Sequence, residues 1–300
     1  MPEMKSCRGC PGQEPAKAAP GEPHRRDVRD RRIGAALERI RYKLVVMSGK
    51  GGVGKSSVAV NVACALAAGG ARVGLLDVDL HGPSVARMLG LTGAMKAGGE
   101  AAIAPKRFSD NLLVVSIQSL LTDPDQAVLW RGPMKTTAIR QFIADVEWGE
   151  LDYLVIDSPP GTGDEHLTVL KNVPDALCVL VTTPQEISLA DVRKTINFLQ
   201  YANANILGVV ENMSGLACPY CHKEIELFKK GGGEAMARDY GLEFLGAVPL
   251  DPATVVAGDL GRPVVLLEGE RPARKAFLAL AEAVAAACRT SLEAAAYPRP

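Results

Sequence analysis

The run Gly49-Lys50-Gly51-Gly52-Val53-Gly54-Lys55-Ser56 constrains this chain more than any other stretch. It fits G-x-x-x-x-G-K-[ST], a pattern whose backbone amides cradle phosphate groups. The flanks agree with that reading. Leu44-Val45-Val46-Met47 predicts a buried strand feeding the loop, and Ser56-Ser57-Val58-Ala59-Val60-Asn61-Val62-Ala63 predicts the helix leaving it. Gly49, Gly51, Gly52 and Gly54 permit positive φ angles and close backbone approach. The stretch from Gly49 through Val53 to Ser57 is therefore the expected cradle, its inward N–H groups reinforced by a helix N-terminus. Lys55 is expected to reach the β- and γ-phosphates, and the Ser56 hydroxyl to ligate Mg²⁺.

Around that loop the chain reads as an α/β fold, a mainly parallel central sheet with helices on both faces. Apolar segments recur at Leu44–Met47, Val73–Leu76, Leu112–Ile117, Leu151–Ile156, Leu177–Val181, Ile206–Val210 and Phe244–Val248, with helical patterns between them. Strands that are apolar throughout, rather than alternating, belong to sheets covered on both sides. With 300 residues, 47% of them hydrophobic, the chain has material for one sizeable core or two small ones. Three parts are expected: a flexible segment over 1–40, a nucleotide-binding domain over 41–290, and a loose tail over 291–300. The charge run His24-Arg25-Arg26-Asp27-Val28-Arg29-Asp30-Arg31-Arg32 reads as solvated, leading into a short helix near Ile33 to Ile40.

The 34 basic and 34 acidic residues balance, so no global pull toward nucleic acid or an anionic membrane is expected. Apolar runs fall short of the roughly 20 residues that span a bilayer. A charged beginning after Met1-Pro2-Glu3 does not read as a secretory signal, and a cytoplasmic location is expected.

Two carboxylates stand where parallel sheets bind ligands, at the C-terminal ends of strands. Asp77-Val78-Asp79 follows the second strand; Asp79 is placed to orient an attacking water, with Asp77 supporting it. Tyr153-Leu154-Val155-Ile156 ends in Asp157, expected near Mg²⁺. Ser158-Pro159-Pro160-Gly161-Thr162-Gly163 then joins a stiff half to a permissive half, as suits a segment that changes path with the γ-phosphate, and Gly161 could offer its N–H to that phosphate.

The second lysine, Lys50, makes the loop resemble the deviant phosphate loop of the MinD/ParA/nitrogenase-reductase class. The resemblance implies that Lys50 reaches across a homodimer to the partner's nucleotide. Further stretches, among them Asp79-Leu80-His81-Gly82-Pro83-Ser84, Trp130-Arg131-Gly132-Pro133-Met134, Asp157 to Asp164, Gly208-Val209-Val210-Glu211-Asn212-Met213-Ser214 and Cys218-Pro219-Tyr220-Cys221, are similar to the Mrp/ApbC group of iron–sulfur cluster carrier ATPases. The likeness spans roughly residues 42 to 290. It implies ATP as the nucleotide, Asn212 against the adenine, and Pro249 with Leu250 lining the base pocket. Lys50 from the resemblance, with Lys55 and Asp79 from the motifs, makes up the expected catalytic set. His81 departs from the pattern, where tyrosine is expected.

Seven cysteines include two C-x-x-C pairs, which in an intracellular protein favours metal or redox roles over disulfides. Cys218 and Cys221 supply two thiolates, whereas a [4Fe–4S] cluster ordinarily takes four. A two-fold axis would set the same pair opposite itself. The family resemblance implies such a bridging cluster, handed on to apo-proteins, and the ligand count agrees. Zinc held by the same four thiolates is the competing occupant. Cys7 and Cys10 cannot form a four-cysteine site by themselves. Cys64, Cys178 and Cys288 fall in apolar patterns and are expected in the core.

A positioning ATPase of the MinD or ParA type, with a structural zinc at its dimer interface, would share everything up to Asp157. The membrane-binding versions end in a cationic amphipathic helix. Here the last helix, near Arg271 to Arg289, is alanine-rich. Nitrogenase-reductase-like carriers use separated single cysteines, unlike the close pair here.

Overall fold

The computed structural model describes residues 23–80, 82–93, 102–120, 132–218, 221, 223–225 and 227–296. Cys7, Cys10, His81, Trp130 and Arg131 lie outside them. In chain order the elements are α1 (Pro23–Glu38), β1 (Ile40–Ser48), α2 (Lys55–Ala68), β2 (Val73–Asp77), α3 (Val85–Met88), β3 (Lys106–Ser109), β4 (Leu112–Ser116) and α4 (Gly132–Asp145). They continue with β5 (Leu151–Asp157), α5 (Asp164–Asn172), β6 (Leu177–Thr182), α6 (Glu186–Tyr201), β7 (Asn205–Ala217), β8 (Glu224–Ile225), α7 (Gly232–Asp239), β9 (Phe244–Leu250), α8 (Pro252–Asp259) and α9 (Pro272–Ala296).

The strands form one sheet in the order β3-β4-β2-β5-β1-β6-β7-β8, with β9 also paired to β7. Every pairing is parallel except β3 with β4 and β7 with β8. The expected strands and the parallel arrangement are all present. From β1 the chain first moves outward to β2, and later returns across β1 to reach β6. The C-terminal end of β1 is thus the point where strand order reverses, the crevice in which such sheets bind ligands.

Side-chain alternation along β1 explains why both faces are covered. Leu44 and Val46 point into a core shared with α2 and α9, including Val58, Val62, Phe277 and Val284. Val45 and Met47 point the other way, among residues of α1, α4 and α6 such as Ile33, Phe142 and Ile196. Cys64 and Cys288 lie in the first core and Cys178 in the second, all buried, as expected. Burial pushes each of these thiols up to about 12.

Both ends of the domain differ from the expectation. The charge run is itself helical: α1 begins at Pro23 and stops at Glu38, while Ile40 opens β1. Burial of Ile33 and Leu37 and the pairing of Arg32 with Asp145 and Arg140 with Asp30 hold this helix to the sheet and α4. At the other end α9 continues to Ala296, into the segment expected as a tail.

Phe277 is fully buried between α9 and the sheet. Phe277→Ala is expected to lower unfolding free energy by roughly 3–5 kcal/mol, read as a shifted denaturant midpoint with unchanged slope.

Candidate functional site

The phosphate loop emerges where β1 ends and α2 begins. Gly52 and Gly54 both adopt φ 79°, in the left-handed region that favours glycine. Gly54 has a second reason to lack a side chain, because a Cβ there would stand 2.1 Å from Asn212 Nδ2. That amide donates to Val53 O at 2.8 Å, tying β7 to the loop. At Gly49 an added Cβ would fall 2.4 Å from the backbone of Asp191, so α6 lies directly against the loop.

Lys55 turns inward. Its Nζ donates to Asp157 Oδ1 at 2.5 Å and to Ser56 Oγ at 3.3 Å. Asp157 is wholly buried; burial holds its carboxyl above the usual carboxylate range, a rise that Lys55 only partly offsets. Its other oxygen, Oδ2, is buried without a hydrogen-bond partner. An unpartnered carboxylate oxygen together with the neighbouring Ser56 hydroxyl is a hard-oxygen donor set, which fits Mg²⁺. Asp77 lies alongside, pushed up to about 8 by burial first and the Asp157 charge second. It accepts from Asp79 N–H at 3.1 Å, Val85 N–H at 3.4 Å and Ser116 Oγ at 3.0 Å, and so fixes the path of the segment carrying Asp79.

A cavity of about 470 Å³ opens beside the loop, lined by Lys50, Gly51, Gly52, Gly54, Lys55, Ser56 and Ser57. Asp79, Asn212, Pro249 and Leu250 line the same space, so these separated predicted residues meet in one place. Lys50 offers an ammonium with no hydrogen bond or ion pair among the described residues. Gly49, Val53, Asp157 and Gly161 do not line it; the Gly161 N–H is already donated to Ser48 O at 2.9 Å, and Pro160 rather than Gly161 borders the cavity.

Cys218 and Cys221 are not in this cavity. They sit at the tip of the β7–β8 hairpin, where Leu216 pairs with Ile225 and Ala217 with Glu224, and Cys218 N–H donates to Lys223 O at 2.9 Å. Cys218 is half-buried and Cys221 exposed. Among the described residues no cluster of three or more His, Cys, Asp or Glu side chains stands ready for a metal, so the tip presents a pair of thiols.

Two residues that sequence reasoning passed over hold the site's edges. His166 accepts from Gly163 N–H through Nδ1 at 3.1 Å, and its Nε2 faces Pro159 O at 2.9 Å, so the ring spans the whole Pro-Pro-Gly-Thr-Gly turn. Its spacing of three residues from Gly163, at the start of α5, was the available signal. Glu211 is the other, buried midway along β7.

A parallel sheet with a two-lysine phosphate loop at its switch point and a carboxylate-terminated neighbouring strand defines a P-loop nucleotide triphosphatase of the MinD/ParA architecture. Residues 39–285 match the ParA-group family described as NUBPL iron-transfer P-loop NTPase. The chain belongs to that family. It is 49% identical over 240 residues to the iron-sulfur cluster carrier protein of Methanocaldococcus jannaschii, covering 80% of this chain and 83% of the relative. It is 48% identical over 256 residues to the carrier protein of the same name from Saccharolobus solfataricus, covering 85% and 86%. Among solved structures, the nucleotide-binding protein in complex with ADP from Archaeoglobus fulgidus superposes with a TM-score of 0.71 at 38% identity, covering 83% of this chain and 96% of that one. The cell division ATPase MinD of Pyrococcus furiosus gives 0.60 at 27%, covering 82% and 98%. No helix of the described residues is long and apolar enough to cross a membrane.

Burial lowers the His166 pKa below the usual imidazole value of 6.5, so the folded ring stays neutral where an unfolded one would charge. Stability is therefore full above pH 6.5 and falls as pH drops toward the depressed folded value. Thermal unfolding between pH 7 and 5 should show this loss, and His166→Gln should flatten it.

Proposed function

We propose that this chain binds and hydrolyses Mg-ATP and carries a [4Fe–4S] cluster between two copies of itself for delivery to apo-proteins. One observation carries this reading: an exposed hairpin tip presents two thiols on the same domain as an intact two-lysine phosphate loop. The relatives named iron-sulfur cluster carrier proteins support it. Two thiols make half a cluster site, and a two-fold axis doubles them without any further ligand from the chain.

In the proposed hydrolysis, Lys55 leaves Asp157 and binds the β- and γ-phosphates, while Ser56 and the freed Asp157 would hold Mg²⁺. A metal held there would supply charge neutralisation on the phosphate oxygens. Asp79 orients the attacking water. The unpaired Lys50 ammonium reaches the partner copy's phosphates, where charge develops during transfer. Asn212, Pro249 and Leu250 form the wall against the base, and Gly161 meets the γ-phosphate only after its bond to Ser48 O is released.

Lys55→Ala should lower ATP turnover by about 100-fold or more, as loss of a principal charge-stabilising group does elsewhere; turnover close to wild type would sink the nucleotide assignment. Anaerobic reconstitution followed by iron, sulfide and zinc analysis tests the cargo. Wild type is expected to hold one four-iron cluster per dimer, with broad visible absorption that Cys218→Ala and Cys221→Ala each abolish. Zinc without iron in the reconstituted dimer would instead point to a structural metal.

A further inference from the structure

Glu211 and Asn212 are consecutive residues of β7 that grip opposite halves of the molecule. The Glu211 carboxylate is fully buried and both its oxygens accept hydrogen bonds. Oε1 takes Ser214 Oγ at 2.6 Å and Gly231 N–H at 2.8 Å; Oε2 takes Gly233 N–H at 2.6 Å. Ser214 is where the chain departs toward the cysteines, and Gly231 and Gly233 are where it returns into α7. A single carboxylate thus clasps both roots of the segment 215–230, which bears Cys218 and Cys221. Asn212, on the opposite face of the strand, holds Val53 O of the phosphate loop at 2.8 Å.

Little slack separates the two grips. Adjacent Cα atoms stand about 3.8 Å apart whatever the chain does. A Cβ added at Gly233 would come within 3.1 Å of both Glu211 Cβ and Thr182 Cγ2, so α7 is pressed onto the strand ends. Met213, between Asn212 and Ser214, has φ 58°, an uncommon conformation for a non-glycine residue and a point where the backbone has a second well to relax into. A shift of Val53 on nucleotide binding would pull Asn212, and through one peptide unit would load the clasp that orients the cysteine segment.

We infer that Glu211 is a positioning residue that couples nucleotide occupancy of the phosphate loop to the reactivity of the Cys218/Cys221 pair. The inference deepens the carrier reading and rests on it for the meaning of the cysteines. Coupling of this kind is reciprocal: whatever nucleotide does to the affinity of the thiol pair for its ligand, that ligand does equally to the affinity for nucleotide.

The test needs no cluster. Metal-free protein is alkylated with N-ethylmaleimide, with and without Mg-ADP or a non-hydrolysable Mg-ATP analogue, and modification of Cys218 and Cys221 is followed separately by peptide mass spectrometry. In wild type, nucleotide should change the rate at one of the two cysteines by about 5-fold or more, within the usual range of allosteric coupling. Glu211→Gln replaces an acceptor by an NH₂ group that cannot take a second N–H. It should abolish the nucleotide dependence while nucleotide affinity, measured by titration, stays within about 3-fold of wild type, since Glu211 does not touch the cavity. Buried Cys64, Cys178 and Cys288 report on folding in the same experiment by staying unmodified. If they react in Glu211→Gln, Ser214→Ala, which removes one bond of three, decides: dependence reduced by about half or more supports the clasp, and full dependence overturns it. No nucleotide dependence in wild type, or an undiminished one in a folded Glu211→Gln, also overturns it. A chain that binds zinc instead of iron would defeat the carrier reading yet leave this thiol coupling intact.

Discussion

The buried pair between Lys55 and Asp157 is the contact on which the nucleotide end of the molecule depends. It joins the first turn of α2 to the end of β5 across the mouth of β1, and both partners are almost wholly withdrawn from water. Such pairs are finely balanced, because desolvation of the two charges offsets most of their attraction. Removing one partner is different, costing about 3–5 kcal/mol by stranding the other. A nucleotide anion alone would take Lys55 and strand Asp157; a cation alone would do the reverse. A metal–triphosphate complex brings an anion for the lysine and a cation for the aspartate together. The geometry therefore favours ligands in which the two arrive joined.

Much of this arrangement was legible because its signals are local. The glycines of the loop, the apolar strands ending in Asp77 and Asp157, and the Cys218/Cys221 spacing each declare themselves within ten residues. Alternating Leu44, Val45, Val46 and Met47 between two cores also follows from strand geometry alone. What escaped was chiefly non-local. β3 is a short edge strand, Lys106–Ser109, with only Phe108 apolar, and it forms by pairing antiparallel with β4. The charged first half of α1 carries no apolar stripe, and its helicity rests on ion pairs and packing farther along.

The candidate site shows the same division. The predicted residues that line the cavity sit in motifs, whereas residues that hold those motifs in place do not. His166 spans its turn from the following helix, and Glu211 reads in sequence as a polar strand end. The sequence offers the Gly161 N–H to a γ-phosphate, but in the fold that N–H is already bonded to Ser48 O, a fact that only the fold can supply. Asp251, whose side chain caps Ala253 N–H with Pro252 at the head of α8, carried a legible helix-start signal that had gone unused.

Depth sorts the cysteines by their chemistry. Cys64, Cys178 and Cys288 are held protonated by burial, and a protonated thiol is a poor nucleophile and a poor target for peroxide. At the hairpin tip Cys218 is only half-buried and Cys221 is exposed. Oxidative wear will therefore begin at Cys218 and Cys221 and leave both cores untouched, giving a protein that ages at one exposed turn while remaining folded. Damage of that kind, at an accessible turn and at its early stages, is the sort that cellular thiol reductants can reverse.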